Sequence, residues 1–107
     1  MGIDFIMDKF IVEAGNLIQY TGEDHYVTVP AGVKTIGPQA FKDCRSIYEV
    51  TLPEGVTGIE DEAFAWCINL KKLAAPSSLV HLGRDVFVGT PFYKYYCENE
   101  TDWQEDF

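Results

Sequence analysis

The sequence predicts an α/β chain of stacked repeats: short parallel strands along one side, one helical turn per repeat along the other, and a β-hairpin in front. Three observations carry this. "GPQAFKDC" at residues 37–44 returns as "EDEAFAWC" at residues 60–67, with Ala, Phe and Cys kept at an offset of 23. Residues 27–95 then align as three rows of that length, "VTVPAGVKTIGPQAFKDCRSIYE", "VTLPEGVTGIEDEAFAWCINLKK" and "LAAPSSLVHLGRDVFVGTPFYKY". Apolar residues recur at matching places in each row: Val27, Val50 and Leu73; Ile36, Ile59 and Leu82; Phe41, Phe64 and Phe87. A fixed period in this range marks a fold whose units bury their apolar faces only by stacking.

The N-terminal segment, residues 1–26, reads as a cap. Within it "KFIVEAGNLIQYTG" has two apolar runs around Ala14-Gly15-Asn16, a hairpin signal that places an antiparallel pair over the first row. Each row then needs one short strand. In "IYEVTLP" the alternation puts Ile47, Val50 and Leu52 inward and Glu49 and Thr51 outward, and Pro53 ends the strand, as Pro30 and Pro76 do in the other rows. A parallel neighbour is reached only through a crossover of about a dozen residues or more, which sets the period. Within that crossover "GIEDEAFAW" puts acids ahead of Ala-Phe, as the positive end of a short helix prefers, and "GPQAF" has a first-turn Pro, so one turn of α- or 3₁₀-helix is expected per row. The phenylalanines of those turns form an inward ladder. Beyond it, the aromatic run from Phe92 to Tyr96 is expected to fold over the Phe87 end of the core, and residues 96–107 form an acidic C-terminal tail.

The succession of apolar strand, Pro, x-G-V, x-x-I-G, x-x-A-F, x-x-C and x-x-L resembles the BspA-type, or Treponema-type, leucine-rich repeats of bacterial proteins, over about two thirds of the chain. Two rows follow the pattern closely; the third departs from it, with Ala75 in the strand, Ser77-Ser78 in the turn and Gly89-Thr90 near the Cys position. The resemblance implies a right-handed leucine-rich-repeat solenoid with its parallel sheet on the concave side and its short turns on the convex side. It also implies a non-catalytic role in protein–protein interaction or adhesion, with no cofactor. The strand face that such a role would use consists of Tyr26, Thr28, Glu49, Thr51, Lys72 and Ala74, with Glu49 and Lys72 expected to pair across neighbouring strands. The competing expectation is a structural unit that weakly homo-oligomerises through a sheet edge or the aromatic C-terminal cap.

The remaining chemistry is sparse. Seventeen acids against eight bases give a formal charge of −9, which repels nucleic-acid phosphates and anionic lipid surfaces. No run reaches the roughly 18 apolar residues of a membrane span, and Asp4, Asp8 and Lys9 interrupt the start of the chain, so no signal peptide is expected and the chain reads as cytoplasmic; a removed leader would make it a surface or secreted protein. Cys44 and Cys67 fall one period apart, close enough for a metal pair or a disulfide, yet a ladder of buried thiols explains them more simply. Cys97 leaves the thiol count odd and is expected to be exposed. His25 and His81 suit surface turns, having no second ligand at helical spacing, and Glu60, Asp61 and Glu62 suit a helix start. No Ser, His and Asp arrangement, phosphate loop or dinucleotide motif is present, which leaves an enzyme reading without a residue to carry it.

Overall fold

The computed structural model describes residues 5–7 and 9–92. In chain order the strands are β1 (Phe5–Met7), β2 (Phe10–Glu13), β3 (Asn16–Tyr20), β4 (Tyr26–Thr28), β5 (Thr35–Ile36), β6 (Glu49–Thr51), β7 (Gly58–Ile59), β8 (Lys72–Ala74) and β9 (His81–Leu82). They form two sheets. One is β4-β6-β8, all parallel; the other is β1-β2-β3-β5-β7-β9, antiparallel through the first three strands and parallel beyond them.

Both parallel ladders advance by the sequence period. Val27 pairs with Val50 and Val50 with Leu73, while Ile36 pairs with Ile59 and Ile59 with Leu82. In β4, β6 and β8 the central residue is buried between neighbours that face outward, since a three-residue strand sends only its middle side chain to the core. The first sheet is the strand that the alternation predicts. The second was not foreseen: each row contributes a further two-residue strand, so the row has two parallel layers and not one.

Between them the chain turns after each proline. Gly32 and Gly55 take φ of 99° and 101°, a region that residues with a Cβ rarely enter. In the third row Ser78 holds this place, and its hydroxyl accepts from the Gly55 N–H at 3.1 Å and donates to the Val56 carbonyl at 2.8 Å. The departure of the third row from the glycine pattern thus becomes a tie to the row before.

The expected helical turn is replaced by a ladder of β-turns. The N–H groups of Gln39, Phe41 and Asp43 donate to the carbonyls of Asp61, Ala63 and Ala65 in the next row, at 3.0, 2.7 and 2.9 Å; those of Glu62, Phe64 and Trp66 donate likewise to Arg84, Val86 and Val88. The amides between them, of Ala40, Lys42 and Cys44, donate three residues back within their own row. A helix would point every N–H along its own axis; alternating them lets each row bond the next. The alternation requires positive φ at Gln39 (61°), Asp43 (65°), Glu62 (58°), Trp66 (63°), Asp85 (53°) and Gly89 (80°), which recur in register with the period.

The N-terminal hairpin forms where expected, with Ala14 and Gly15 both at positive φ, the signature of a two-residue type I′ turn. Its β3 strand pairs in parallel with β5, so the hairpin extends the second sheet, and β1 adds a third, unforeseen strand. Through the centre runs a file of rings. Phe41 and Phe64 stack at 4.8 Å, and Phe64 and Phe87 at 5.8 Å. Tyr20 and Phe10 continue the file at the hairpin end, while Phe92, 2 % exposed, meets Phe87 edge-on at 4.7 Å at the other. Of the predicted aromatic cover, Phe92 is thus in place; Tyr93 to Tyr96 and the acidic tail lie outside the described residues.

Candidate binding face

The six face residues come together as two columns. Tyr26, Glu49 and Lys72 are in register across β4, β6 and β8, and so are Thr28, Thr51 and Ala74. Tyr26, Thr28, Glu49, Thr51 and Lys72 are exposed, and Ala74 is half-buried. What holds them outward is the set of anchors between the columns: Val27, Val50 and Leu73 are at most 4 % exposed. A one-residue slip would invert every side chain, exchanging three buried aliphatics for polar groups, so the face is rigidly specified.

Glu49 and Lys72 are cross-strand neighbours, yet among the described residues no ion pair joins them. This corrects the expected pair. Two exposed, flexible side chains gain little by meeting, because water screens the attraction and holding both costs rotamer entropy. Thr28, Glu49, Thr51 and Lys72 likewise make no side-chain hydrogen bond among the described residues.

The sequence reading missed the margin of this face. His25 and Tyr48, one period apart, stack with centroids at 4.5 Å and planes 3° from parallel, and Tyr26 stands at 87° to Tyr48 at 6.2 Å. The His25 ring is anchored by Nδ1, 2.8 Å from the Ser46 carbonyl. Reading the 23-residue offset one place before the strand would have paired the two rings.

The other candidate residues have structural work. Cys67 is fully buried, its thiol donating to the Phe41 carbonyl at 3.0 Å, and burial pushes its pKa up to about 12. Cys44 is half-buried and pushed up to about 11, by burial first and then by the charge of Asp43. Both are free, protonated thiols at neutral pH, which makes them poor nucleophiles and poor metal ligands; Cys97 lies outside the described residues. The acids at 60–62 do not start a helix. Asp61 accepts the Arg84 N–H at 2.8 Å, and Glu62 accepts from Gln39 Nε2 at 3.0 Å and Lys42 Nζ at 3.2 Å, tying row to row. The Lys42 bond first, then that of Gln39, holds the Glu62 carboxyl below its ordinary range. His81 Nε2 lies 3.9 Å from Glu60. Among the described residues no group of His, Cys, Asp and Glu is arranged to hold a metal, and no helix is long and apolar enough to cross a membrane.

Solved structures share this architecture. A leucine-rich repeat protein of Treponema pallidum aligns at 28 % identity with a TM-score of 0.61, over 63 % of this chain and 34 % of that one. The pneumococcal vaccine antigen PcpA aligns at 21 % identity and a TM-score of 0.68, over 78 % of this chain and 27 % of its own, and a leucine-rich repeat protein of Bacteroides capillosus at 24 % and 0.61, over 77 % and 65 %. The chain therefore spans about a third of the Treponema protein's length and less of the pneumococcal one. No curated protein matches it by sequence. Residues 18–102 match the BspA type leucine rich repeat region in six copies, so the chain belongs to the BspA-type leucine-rich repeat family.

Proposed function

We propose that this chain is a non-catalytic binding module that contacts another protein through the β4-β6-β8 face. The observation that carries the reading is a set of uncommitted polar groups on a rigid support: Thr28, Glu49, Thr51 and Lys72 project from strands locked by buried anchors, and their side chains spend no bond within the molecule among the described residues. Because the strands beneath are already ordered, binding has only the side chains to fix, and their hydrogen-bonding capacity is kept for a partner. The exposed Tyr26 ring adds the residue type over-represented at binding hot spots. Three strands supply only a few hundred Å² by strand spacing, against roughly 800 Å² per partner in a standard interface. The greater length of the Treponema and pneumococcal relatives fits an array in which further rows enlarge the face.

The test compares the immobilised full chain with its Thr51→Arg variant in capture from the source cell, alongside light scattering over a concentration series. The expected result is a constant monomer mass and a captured protein that the variant loses. Capture unaffected by Thr51→Arg would remove this face from the reading, and a mass that grows with concentration would favour self-assembly instead.

A further inference from the structure

Where the face meets its aromatic margin, two tyrosine rings form a corner beside a carboxylate. Tyr48 is backed by His25 and stands at right angles to Tyr26, a residue 68 % exposed. Glu49 is the in-register neighbour of Tyr26 on β6, and its carboxylate makes no ion pair or hydrogen bond among the described residues. Ring faces carry negative quadrupole charge, so an open tyrosine next to an unspent carboxylate attracts a cation twice over.

The kind of cation follows from the geometry. A guanidinium is planar and weakly hydrated, so it lies against a ring while its N–H fork reaches a carboxylate; an ammonium, more strongly hydrated, does this less well. The surroundings exclude a purely basic partner. Lys72 stands opposite Glu49 on its other side, and the Lys71 N–H bonds the Tyr48 carbonyl, so two lysines border the corner. They repel a run of positive charge and receive an acid. The chain's net charge of −9 steers the arginine in from a distance.

The geometry points to an arginine-recognition corner made by Tyr26, Tyr48 and Glu49, which seats the guanidinium of a partner segment while Lys72 receives an acidic side chain of the same segment. It rests on the reading of this face as the contact surface, and it names the chemistry of what is bound. In an extended segment, side chains two apart lie on one side roughly 7 Å from each other, which suits Arg-x-Glu laid across neighbouring strands.

The experiment titrates isotope-labelled full chain with the blocked tripeptide acetyl-Arg-Ala-Glu-amide and with its citrulline counterpart, which keeps the shape and loses the charge. The arginine peptide should give saturable amide shifts at residues 26, 48 and 49, with an affinity about two- to thirty-fold above that of the citrulline peptide. Tyr26→Leu and Glu49→Gln should each lower that preference and together erase it, and Tyr26→Phe should keep most of it. Equal affinities, shifts centred elsewhere, a preference undiminished by Tyr26→Leu, or no saturable shift up to roughly 50 mM peptide would each overturn the proposal. The two readings fail separately: if Thr51→Arg abolishes partner capture while the arginine preference is missing, the face stands and the corner falls. Capture that persists in Thr51→Arg removes the face whatever the peptides do.

Discussion

The strand side and the turn side of each row carry the same period and achieve it by different means. On the strand side, Val27, Val50 and Leu73 alternate with neighbours that are exposed or, at Ala74, half-buried, and a side chain's direction follows from its place in the strand. On the turn side, the rows are joined by backbone amides whose alternation depends on positive φ at Gln39, Asp43, Glu62, Trp66 and Asp85, none of them glycine. Both sides are bonded through the backbone, but the first does so in ordinary strands around buried side chains, while the second bonds against local strain of order 1 kcal/mol or more per residue. The two sides should therefore respond differently to substitution.

The largest effect is expected where they meet, at the ring file. Phe64 is fully buried and has a stacked ring on each side, so Phe64→Ala removes contacts in both directions and leaves a cavity that neighbouring rows cannot close. A loss of about 3–5 kcal/mol is expected, a large share of the stability of a chain this size. Urea denaturation followed by circular dichroism measures it; a loss under about 1 kcal/mol would mean that the file is not what holds the two sides together.

A substitution confined to the turn side separates strain from packing. Gly89 takes φ of 80° and a Cβ built there would run into the Trp66 ring, whereas Gly55, at 101°, has nothing within 4 Å of such a Cβ. Gly55→Ala should cost about 1 kcal/mol, from backbone conformation alone, and Gly89→Ala about 1–3 kcal/mol, from conformation and displacement of the indole together. In a Trp66→Ala background the Gly89→Ala cost should fall to that of Gly55→Ala. Equal costs in both backgrounds would show that the indole moves aside freely and that only φ matters.

These contrasts explain what the sequence disclosed. Alternation around a single buried residue is a local signal, so β4, β6 and β8 and the six face residues were legible, and two apolar runs around Ala14-Gly15-Asn16 marked the hairpin, though not its type I′ turn. Two-residue strands such as Gly58–Ile59 contain no alternation to read; their identity lies in a partner 23 residues away. The turns misled for a related reason. "EDEAF" satisfies the rules for a helix start, and nothing about Glu62 or Trp66 announces a left-handed backbone, which arises only because the next row offers carbonyls at the right height. The His25–Tyr48 stack escaped because neither ring belongs to a strand. That margin is the part of the candidate site that adds chemistry beyond exposure, and only the folded rows bring it together.

A smaller effect should appear on acidification. The folded-state pKa of Glu62 is lowered, chiefly by the Lys42 hydrogen bond and then by that of Gln39. A lowered value means that the unfolded chain takes up this proton at higher pH than the folded one. The contribution is therefore complete above the ordinary carboxylate pKa and lost as pH falls through the folded value. Urea midpoints for the parent and for Glu62→Gln, measured from about pH 6 down to pH 3, should converge toward the acid end. Superimposable curves at every pH would show that this tie between rows 1 and 2 adds nothing to their backbone ladder.

The smallest effect is expected on the strand face itself. Lys72 is exposed and forms no ion pair with Glu49 among the described residues, and the position is held by Leu73 beneath it, not by its own head group. Lys72→Ala should change stability by no more than about 0.5 kcal/mol, within the range of surface substitutions remote from caps and cores. Lys72→Glu should cost somewhat more, up to about 1 kcal/mol, because it sets two carboxylates directly opposite each other on neighbouring strands, and added salt should recover most of that cost by screening. The pair of variants tests the comparison at its quiet end. A loss of several kcal/mol from Lys72→Ala would mean that the strand side relies on its exposed column as well as on buried anchors; a near-zero change leaves the face able to spend its charges on a partner without drawing on the fold.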